Sequence, residues 1–203
     1  QQGNGTMLKL ALISAVMAAV TAAVSSGQQA KERDVIPTSG GDLAITFIGH
    51  GSLMFAYGGK TIHVDPYSSQ ADYASLPKAD ILLITHEHGD HLDAAAIRHV
   101  RTSGTRVVLT GAAAKKVEGG TVMKNGDRID VADIAIEAVP AYNIAHKRPD
   151  GSPFHPKGIG NGYVLTFGDR RVYVAGDTEN IPEMKNLKDI AVAFLPVNLP
   201  YTM

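Results

Sequence analysis

The 203-residue sequence predicts an α+β domain in which two packed β-sheets lie between outer helices, an αββα sandwich. Two observations support this prediction. Short strand patterns alternate with short helical patterns from residue 42 to residue 203. The composition, with 44% hydrophobic and 19% charged residues, is that of a globular chain long enough for one domain with a sizeable core.

The first half of the domain is predicted to begin with three short strands, and Gly58-Gly59 indicates a tight hairpin between the second and the third. A later apolar run predicts a buried strand, and Asp93 is placed to cap a short helix. The predicted strands span residues 43–48, 52–57, 61–64, 81–85 and 107–109, and the predicted helices span residues 94–99 and 112–117.

The second half is predicted to contain a hairpin about Gly168-Asp169 and a helix with Pro182 near its first turn. A long loop rich in glycine and proline, residues 142–162, is typical of segments that shape active sites. The predicted strands span residues 129–131, 134–139, 163–167, 171–175 and a last buried run at 191–197, and the predicted helix spans residues 181–187.

The N-terminal residues are typical of a secretory signal peptide. Met7 and Lys9 precede an uncharged stretch at residues 10–24, and small residues at 25–27 suit a signal peptidase. The stretch is short for a membrane span, and an uncleaved anchor is the alternative. We assign residues 1–27 to upstream residues plus the signal peptide, 28–41 to a flexible linker and 42–203 to the domain. We expect a periplasmic or secreted protein without stable membrane insertion after cleavage.

Metal-ligating side chains follow directly after the predicted strand at residues 81–85: His86, His88, Asp90 and His91. The first two histidines lie two residues apart and point the same way where strand geometry persists. Neutral imidazole and carboxylate suit zinc, iron or manganese. Because such side chains are costly to bury unpaired, packing alone explains this spacing poorly. The cluster therefore predicts a metal site with enough ligands for two ions.

Charge and cysteine content narrow the range of partners. The formal net charge is −1 and no basic run offers phosphate neutralisation, which argues against a nucleic-acid partner. The sequence has no cysteine, so disulfides and thiolate ligands are excluded and histidine must supply the softer metal ligands. We expect a small-molecule substrate, and the sequence does not determine the oligomeric state.

The segment His86-x-His88-x-Asp90-His91 resembles the signature of the metallo-β-lactamase-fold hydrolases. Residues 45–52 and 62–66 resemble the opening strands of that superfamily, and residues 175–178 resemble the segment that carries its metal-bridging aspartate. The resemblance spans about residues 42–203 and is nearest to a branch of small hydrolases that includes ascorbate-6-phosphate lactonase. Because this fold hosts lactonases, thioesterases, phosphodiesterases, β-lactamases and nucleases, the motif does not specify the substrate.

The resemblance implies a centre for one or two zinc ions, with manganese or iron as alternatives. The implied ligands are His86, His88 and His155 for the first ion, Asp90 and His91 for the second, and Asp177 as the bridge between them. A metal-bound hydroxide would attack the substrate. Asp90 would be the catalytic residue, since it would orient this nucleophile as well as bind metal.

Several of these assignments have alternatives. His146 is the other candidate for the third histidine of the first site. The resemblance favours His155, because it lies just before the strand that leads to Asp177, at a similar short distance to the third-motif histidine of the superfamily. Asp177 alone is also typical of a residue that caps a following helix. His50 is a secondary candidate that would face the metals. Asp65 would either fix the tautomer of a ligand imidazole or form a turn with Pro66.

The sequence departs from the superfamily pattern after His155, because no later histidine supplies a further ligand to the second ion. We therefore expect the chain to be truncated at its C-terminus, with the final strands and helix of the fold missing. An unpaired sheet edge and exposed apolar surface would follow. We also expect one ion to bind well and the second to bind weakly.

These observations predict a metal-dependent hydrolase that acts on a small ester, lactone or phosphoester. Lys157, close in sequence to His155, would attract an anionic group of the substrate or remain solvated. The alternative is a non-catalytic metal-binding module of the same fold that has lost turnover through truncation.

Overall fold

In the computed structural model, the residues described are 31–203, and the predicted signal peptide lies outside them. The strands of this part are β1 (Arg33–Thr38), β2 (Gly41–Gly49), β3 (Ser52–Tyr57), β4 (Lys60–Val64), β5 (Ile81–Leu83), β6 (Arg106–Leu109), β7 (Thr121–Val122), β8 (Arg128–Val131), β9 (Ile134–Ala141), β10 (Gly160–Phe167), β11 (Arg170–Val174) and β12 (Ile190–Phe194). One α-helix, α1 (Ala94–Val100), and two 3-10 helices, Ala113–Lys115 and Pro182–Asn186, complete the elements of these residues.

The strands form two sheets. The first has the order β1-β2-β3-β4-β5-β6-β7, with antiparallel pairing up to β4 and parallel pairing from β4 to β7. The second has the order β12-β11-β10-β9-β8, and only β11 and β12 pair in parallel. Most antiparallel neighbours are joined by short turns, whereas the parallel strands need longer connections. The exception is the antiparallel pair β9 and β10, which is joined by the long loop of residues 142–159.

The main hydrophobic core lies between the two sheets and includes Phe55 of the first and Tyr163 of the second. Because successive strand side chains point to opposite faces, alternate residues form outer layers. Leu82 of β5 packs with residues of α1, and Val164 of β10 lies in a cluster against which Met184 packs. The predicted α+β sandwich of two sheets is confirmed. The described residues contain only one short α-helix, however, whereas helices covering both outer faces were expected.

The prediction of a flexible linker at residues 28–41 is wrong over residues 33–38. These residues form β1, which pairs with β2 from Arg33 opposite Thr46 to Thr38 opposite Gly41. The strand lies at the edge of its sheet and most of its side chains are exposed. It therefore lacks the alternation of buried and exposed residues that reveals a strand, and its Pro37 is compatible with an edge position.

Other differences concern short or marginal elements. The helices predicted at residues 112–117 and 181–187 are 3-10 segments of three and five residues. The strand predicted as buried at 191–197 is Ile190–Phe194, and its side chains alternate between half-buried and exposed because it lies at a sheet edge. No helix in residues 31–203 combines the length and apolarity needed to cross a bilayer.

The two sheets meet closely at the end of β5. The Tyr163 hydroxyl donates to the carbonyl oxygen of Ile84 at 3.0 Å, and the Asn161 backbone N–H donates to the carbonyl of Thr85 at 2.9 Å. The segment after β11 approaches from the other side at Gly176, which has a φ of +63° and where a Cβ would lie 3.0 Å from the Thr85 side chain. A glycine at this position therefore lets the following loop reach the polar segment after β5.

Candidate metal centre

The first group of potential ligands consists of His86, His88 and His155. One imidazole nitrogen from each lies within 4.8 Å of the others. His86 and His155 are buried and His88 is half-buried. The chain segment after β5 supplies two of these rings, and the loop before β10 supplies the third. The structure thus places His155 with the two motif histidines, as the sequence predicts.

The second group consists of His50, Asp90 and His91, whose potential ligand atoms also lie within 4.8 Å of one another. His50 Nε2 donates to Asp90 Oδ2 at 3.0 Å, and His91 Nε2 lies 3.9 Å from the same oxygen. His50, a secondary candidate from the sequence, therefore faces this group. It sits in the turn between β2 and β3 with a φ of +53°.

Asp177 lies between the two groups. Its Oδ1 is 3.4 Å from His91 Nε2, and its Oδ2 is 3.3 Å from His155 Nε2. Each carboxylate oxygen thus faces one group, which is the position expected of a bridging ligand. The 3-10 helix that follows is preceded by Ile181 and has no side-chain cap, so Asp177 does not cap it.

Three imidazole nitrogens in this region are buried without a hydrogen-bond partner in residues 31–203: the Nε2 atoms of His86, His91 and His155. Buried polar atoms are normally paired, so three orphaned nitrogens in one region, two of which face Asp177, need an explanation. The Nδ1 atom of each ring does have a partner. This combination, one nitrogen held by the protein and the other turned into a shared space, is that of metal-ligating histidines. The donor set therefore fits a metal ion.

Asp65 fixes the tautomers of two of these rings. His91 Nδ1–H donates to Asp65 Oδ2 at 2.8 Å, and the Thr85 hydroxyl donates to the same oxygen at 2.5 Å. Since that hydroxyl has only one proton, it must accept from His86 Nδ1–H, which lies 3.0 Å away. In their neutral forms, both rings therefore carry the proton on Nδ1 and present an Nε2 lone pair. Asp65 itself is 1% exposed.

The electrostatics of the histidines also suit a cation. Burial, together with the neighbouring rings of His91, His88 and His155, holds the pKa of His86 well below its usual range. Burial likewise lowers the pKa of His88, with His155 adding to the effect. Both rings are thus neutral near pH 7, the form in which imidazole binds metal.

The region around His91 favours positive charge. Burial opposes protonation of His91, but its hydrogen bond to Asp65 and the charges of Asp65, Asp177 and Asp90 outweigh burial and raise its pKa to about 9. For Asp177, burial raises the pKa, but the close contact with His155 and the charges of the nearby histidines lower it overall. The same carboxylates that hold a proton on His91 would stabilise a metal cation in its place.

Other candidates from the sequence lie elsewhere. His146 Nδ1 is 2.9 Å from Glu179 Oε1, outside both groups of ligands. Lys157 Nζ is paired with Glu183 at 2.7 Å rather than with the site. Thr85, Asn143 and Glu179 were not predicted from the sequence. Thr85 adjoins the histidine motif and Asn143 lies in the long loop, but the hydrogen bonds of these two side chains cannot be predicted from their positions in the sequence.

A cavity of about 620 Å³ opens beside the second group. His50, His91 and Asp177 line it on the polar side, and Phe47 and Phe194 line it on the apolar side. A concave site with a few convergent polar groups beside an apolar wall suits a small organic molecule.

The fold and this site correspond to a known class of protein. Residues 44–203 match the family model of the beta-lactamase superfamily domain, and the chain belongs to that superfamily. Among curated proteins it is similar to a UPF0173 metal-dependent hydrolase from Methanopyrus kandleri, with 32% identity over 172 residues that cover 79% of this chain and 74% of the relative. A relative from Pyrococcus furiosus is 33% identical over 175 residues, covering 78% and 74%. The protein is thus a metal-dependent hydrolase.

Solved structures agree with this placement. A crystal structure from Parabacteroides distasonis, assigned as a metal-dependent hydrolase, is 54% identical, has a TM-score of 0.81, and covers 85% of this chain and 78% of that one. The metallo hydrolase Igni18 from Ignicoccus hospitalis is 26% identical with a TM-score of 0.60, covering 79% and 73%. The predicted resemblance to the metallo-β-lactamase-fold hydrolases is confirmed.

Proposed function

We propose that the protein hydrolyses a small ester, lactone or phosphoester at a centre of two metal ions. The proposed ligands are His86, His88 and His155 for the first ion, Asp90 and His91 for the second, and Asp177 as the bridge. The observation that carries this proposal is the set of three buried Nε2 atoms that lack a partner in the described residues, two of which face the Asp177 carboxylate. When bound, metal ions in such a centre acidify water and polarise the bond under attack.

Asp90 is the proposed catalytic residue. Its carboxylate accepts a hydrogen bond from His50 at 3.0 Å, and 41% of its side chain remains exposed. It lies 3.9 Å from His91 Nε2, and both His91 and His50 line the cavity described above. A carboxylate in this position can orient an attacking water and take its proton.

Zinc is the metal that we propose, with manganese or iron as alternatives. The first group offers three imidazoles and the Asp177 carboxylate, a donor set that zinc binds in tetrahedral sites. The second group is richer in oxygen and more exposed, since the side chains of His50 and Asp90 are 31% and 41% exposed. We therefore expect the first ion to be held more tightly than the second.

The substrate class and the location are also proposals. The cavity beside His91 and Asp177 has both an apolar wall and the ligand groups, which supports a small-molecule substrate. The signal-like residues 7–27 support a periplasmic or secreted enzyme. Cell fractionation of the full chain tests the location, and recovery only in the cytoplasm would contradict it.

The experiment that tests the function compares the wild type with His88→Ala. We expect hydrolysis of at least one substrate from a panel of lactones, esters and phosphodiesters, and we expect a chelator to abolish it. His88→Ala should reduce this activity on the order of 100-fold or more, with less metal per chain by elemental analysis. His99→Ala, which alters an exposed histidine of α1, is the matched control.

Two outcomes would contradict the proposal. One is activity that a chelator leaves unchanged. The other is a His88→Ala variant that retains both wild-type turnover and wild-type metal content. Loss of activity in His99→Ala as well would show that the preparation, rather than the site, limits turnover.

A further inference from the structure

Asn143 links the metal-binding loop to a buried carboxylate. Its Oδ1 accepts from the backbone N–H of His155 at 2.8 Å and lies 2.7 Å from His155 Nδ1. Its Nδ2 donates to Glu179 Oε1 at 3.0 Å and to the carbonyl oxygen of Tyr201 at 2.8 Å. All four positions around this side-chain amide are thus filled by identified partners, and Asn143 is itself buried.

These partners leave only one orientation for the Asn143 amide. A backbone N–H can only donate, so the atom facing the His155 amide must be the oxygen. A backbone carbonyl can only accept, so the atom facing Tyr201 must be the NH₂ group. The atom opposite His155 Nδ1 is therefore an oxygen, and His155 must carry its proton on Nδ1. Its Nε2 is left with a lone pair directed at Asp177, 3.3 Å away.

Glu179 holds Asn143 and the start of the loop in place. Besides Asn143, its carboxylate accepts from the backbone N–H groups of Ile144 at 3.0 Å, Ala145 at 2.8 Å and His146 at 2.6 Å. The loop thus wraps around one buried acid, and the Asn143 N–H in turn donates to the carbonyl of His155 at 2.9 Å. Neither residue touches the space between the ligands, so both act through His155.

We propose that Asn143, anchored by Glu179, is a positioning residue that fixes His155 in the tautomer able to bind metal through Nε2. This inference rests on the proposed function, because it assumes that His155 is a metal ligand. It assigns to Asn143 the role for His155 that Asp65 has for His91, but with a neutral amide. An amide oxygen accepts the hydrogen bond from the imidazole N–H without adding negative charge to the first site.

The test uses the full chain and two substitutions of Asn143. In the metal-free protein at pH 8, nitrogen-15 NMR of the histidine rings should show His155 protonated on Nδ1. Asn143→Asp retains an acceptor oxygen and should keep that tautomer, whereas Asn143→Ala should allow protonation of Nε2. Zinc affinity, measured by chelator competition, should fall roughly 10- to 100-fold in Asn143→Ala and less in Asn143→Asp. Glu183→Gln alters a carboxylate outside this network and should leave both the His155 tautomer and the zinc affinity unchanged.

The outcomes separate this inference from the proposed function. If His155→Ala does not weaken zinc binding, the metal site itself is wrong. If His155→Ala weakens zinc binding but Asn143→Ala changes neither the tautomer nor the affinity, the role of Asn143 is wrong and the site stands. Should Asn143→Ala fail to fold, the Asn143→Asp variant decides, because an Nε2-protonated His155 in that variant would overturn the proposal.

Discussion

Thr85 shows how a single hydroxyl can affect both groups of ligands. It donates its only proton to Asp65 and accepts from His86, so the position of the His86 proton depends on it. Asp65 also holds His91, so one buried carboxylate orients an imidazole in each group. Thr85 is fully buried.

We predict that Thr85→Val weakens metal binding although valine has nearly the same shape as threonine. The substitution leaves His86 Nδ1 without an acceptor and Asp65 without one donor, so His86 can place its proton on Nε2. We expect zinc affinity to fall roughly 10-fold by chelator competition, within the usual range for groups that orient metal ligands. Thr85→Ser retains the hydroxyl and should remain near the wild type. Equal affinity of the valine and serine variants would refute the relay through Thr85.

At the residue scale, local patterns predicted far more than distant contacts did. His86, His88, Asp90 and His91 lie within six consecutive positions after one strand, so their spacing alone brings them together. His155 could be preferred over His146 only through the resemblance. The roles of Asn143 and Glu179 could not be predicted, because their bonds depend on the path of a long loop through space rather than on any spacing along the chain.

At the scale of elements, burial decided which strands could be predicted. β3 and β9 alternate or bury their apolar residues and were found in the sequence to within two residues at each end. β1 and β7 are mostly exposed, so their backbone pairing leaves no apolar pattern to detect. β4 shows a third case, in which Ile62 and Val64 face the core between the sheets while His63 is buried in the outer layer.

His63 leads to a prediction about pH. Its Nε2 donates to the carbonyl of Pro77 at 3.0 Å, and its Nδ1 is buried without a partner in residues 31–203. Burial lowers the pKa of His63, an effect only partly opposed by the bond to Pro77. The unfolded chain therefore binds this proton at a higher pH than the folded chain. The free energy of unfolding should fall as the pH drops below about 6.5, by at most about 1.4 kcal/mol per pH unit from this residue.

Urea denaturation of the metal-free protein at pH 7.5 and pH 5.5 checks this expectation. His63→Gln retains a donor toward Pro77 but cannot be protonated, so its stability should fall less over this interval than that of the wild type. Other histidines also contribute, and the difference between the two proteins isolates His63. His99→Gln, at an exposed position, should follow the wild type. Parallel pH profiles for His63→Gln and the wild type would count against a neutral buried His63.

At the scale of the whole molecule, the proposed metals would join the two sheets. His86, His88 and His91 follow β5 of the first sheet, whereas His155 precedes β10 and Asp177 follows β11 of the second. The sheets share one apolar core, which the interleaved strand and helix patterns of the sequence predicted. The sequence could not predict how closely the site segments approach, because that depends on Gly176 and on the bonds from Asn161 and Tyr163.

This arrangement predicts that metal raises the thermal stability of the whole domain through Asp177. At a free zinc concentration about 100 times the dissociation constant, binding should add about 2.7 kcal/mol. For a domain of this size, that shifts the unfolding midpoint by roughly 5–10 °C, measurable by calorimetry with zinc and with a chelator. Asp177→Asn removes the charge that faces both groups, so its zinc-dependent shift should be much smaller, whereas that of Glu183→Gln should match the wild type. A full shift in Asp177→Asn would mean that zinc stabilises the protein without the carboxylate between the sheets, and the bridging role of Asp177 would have to be abandoned.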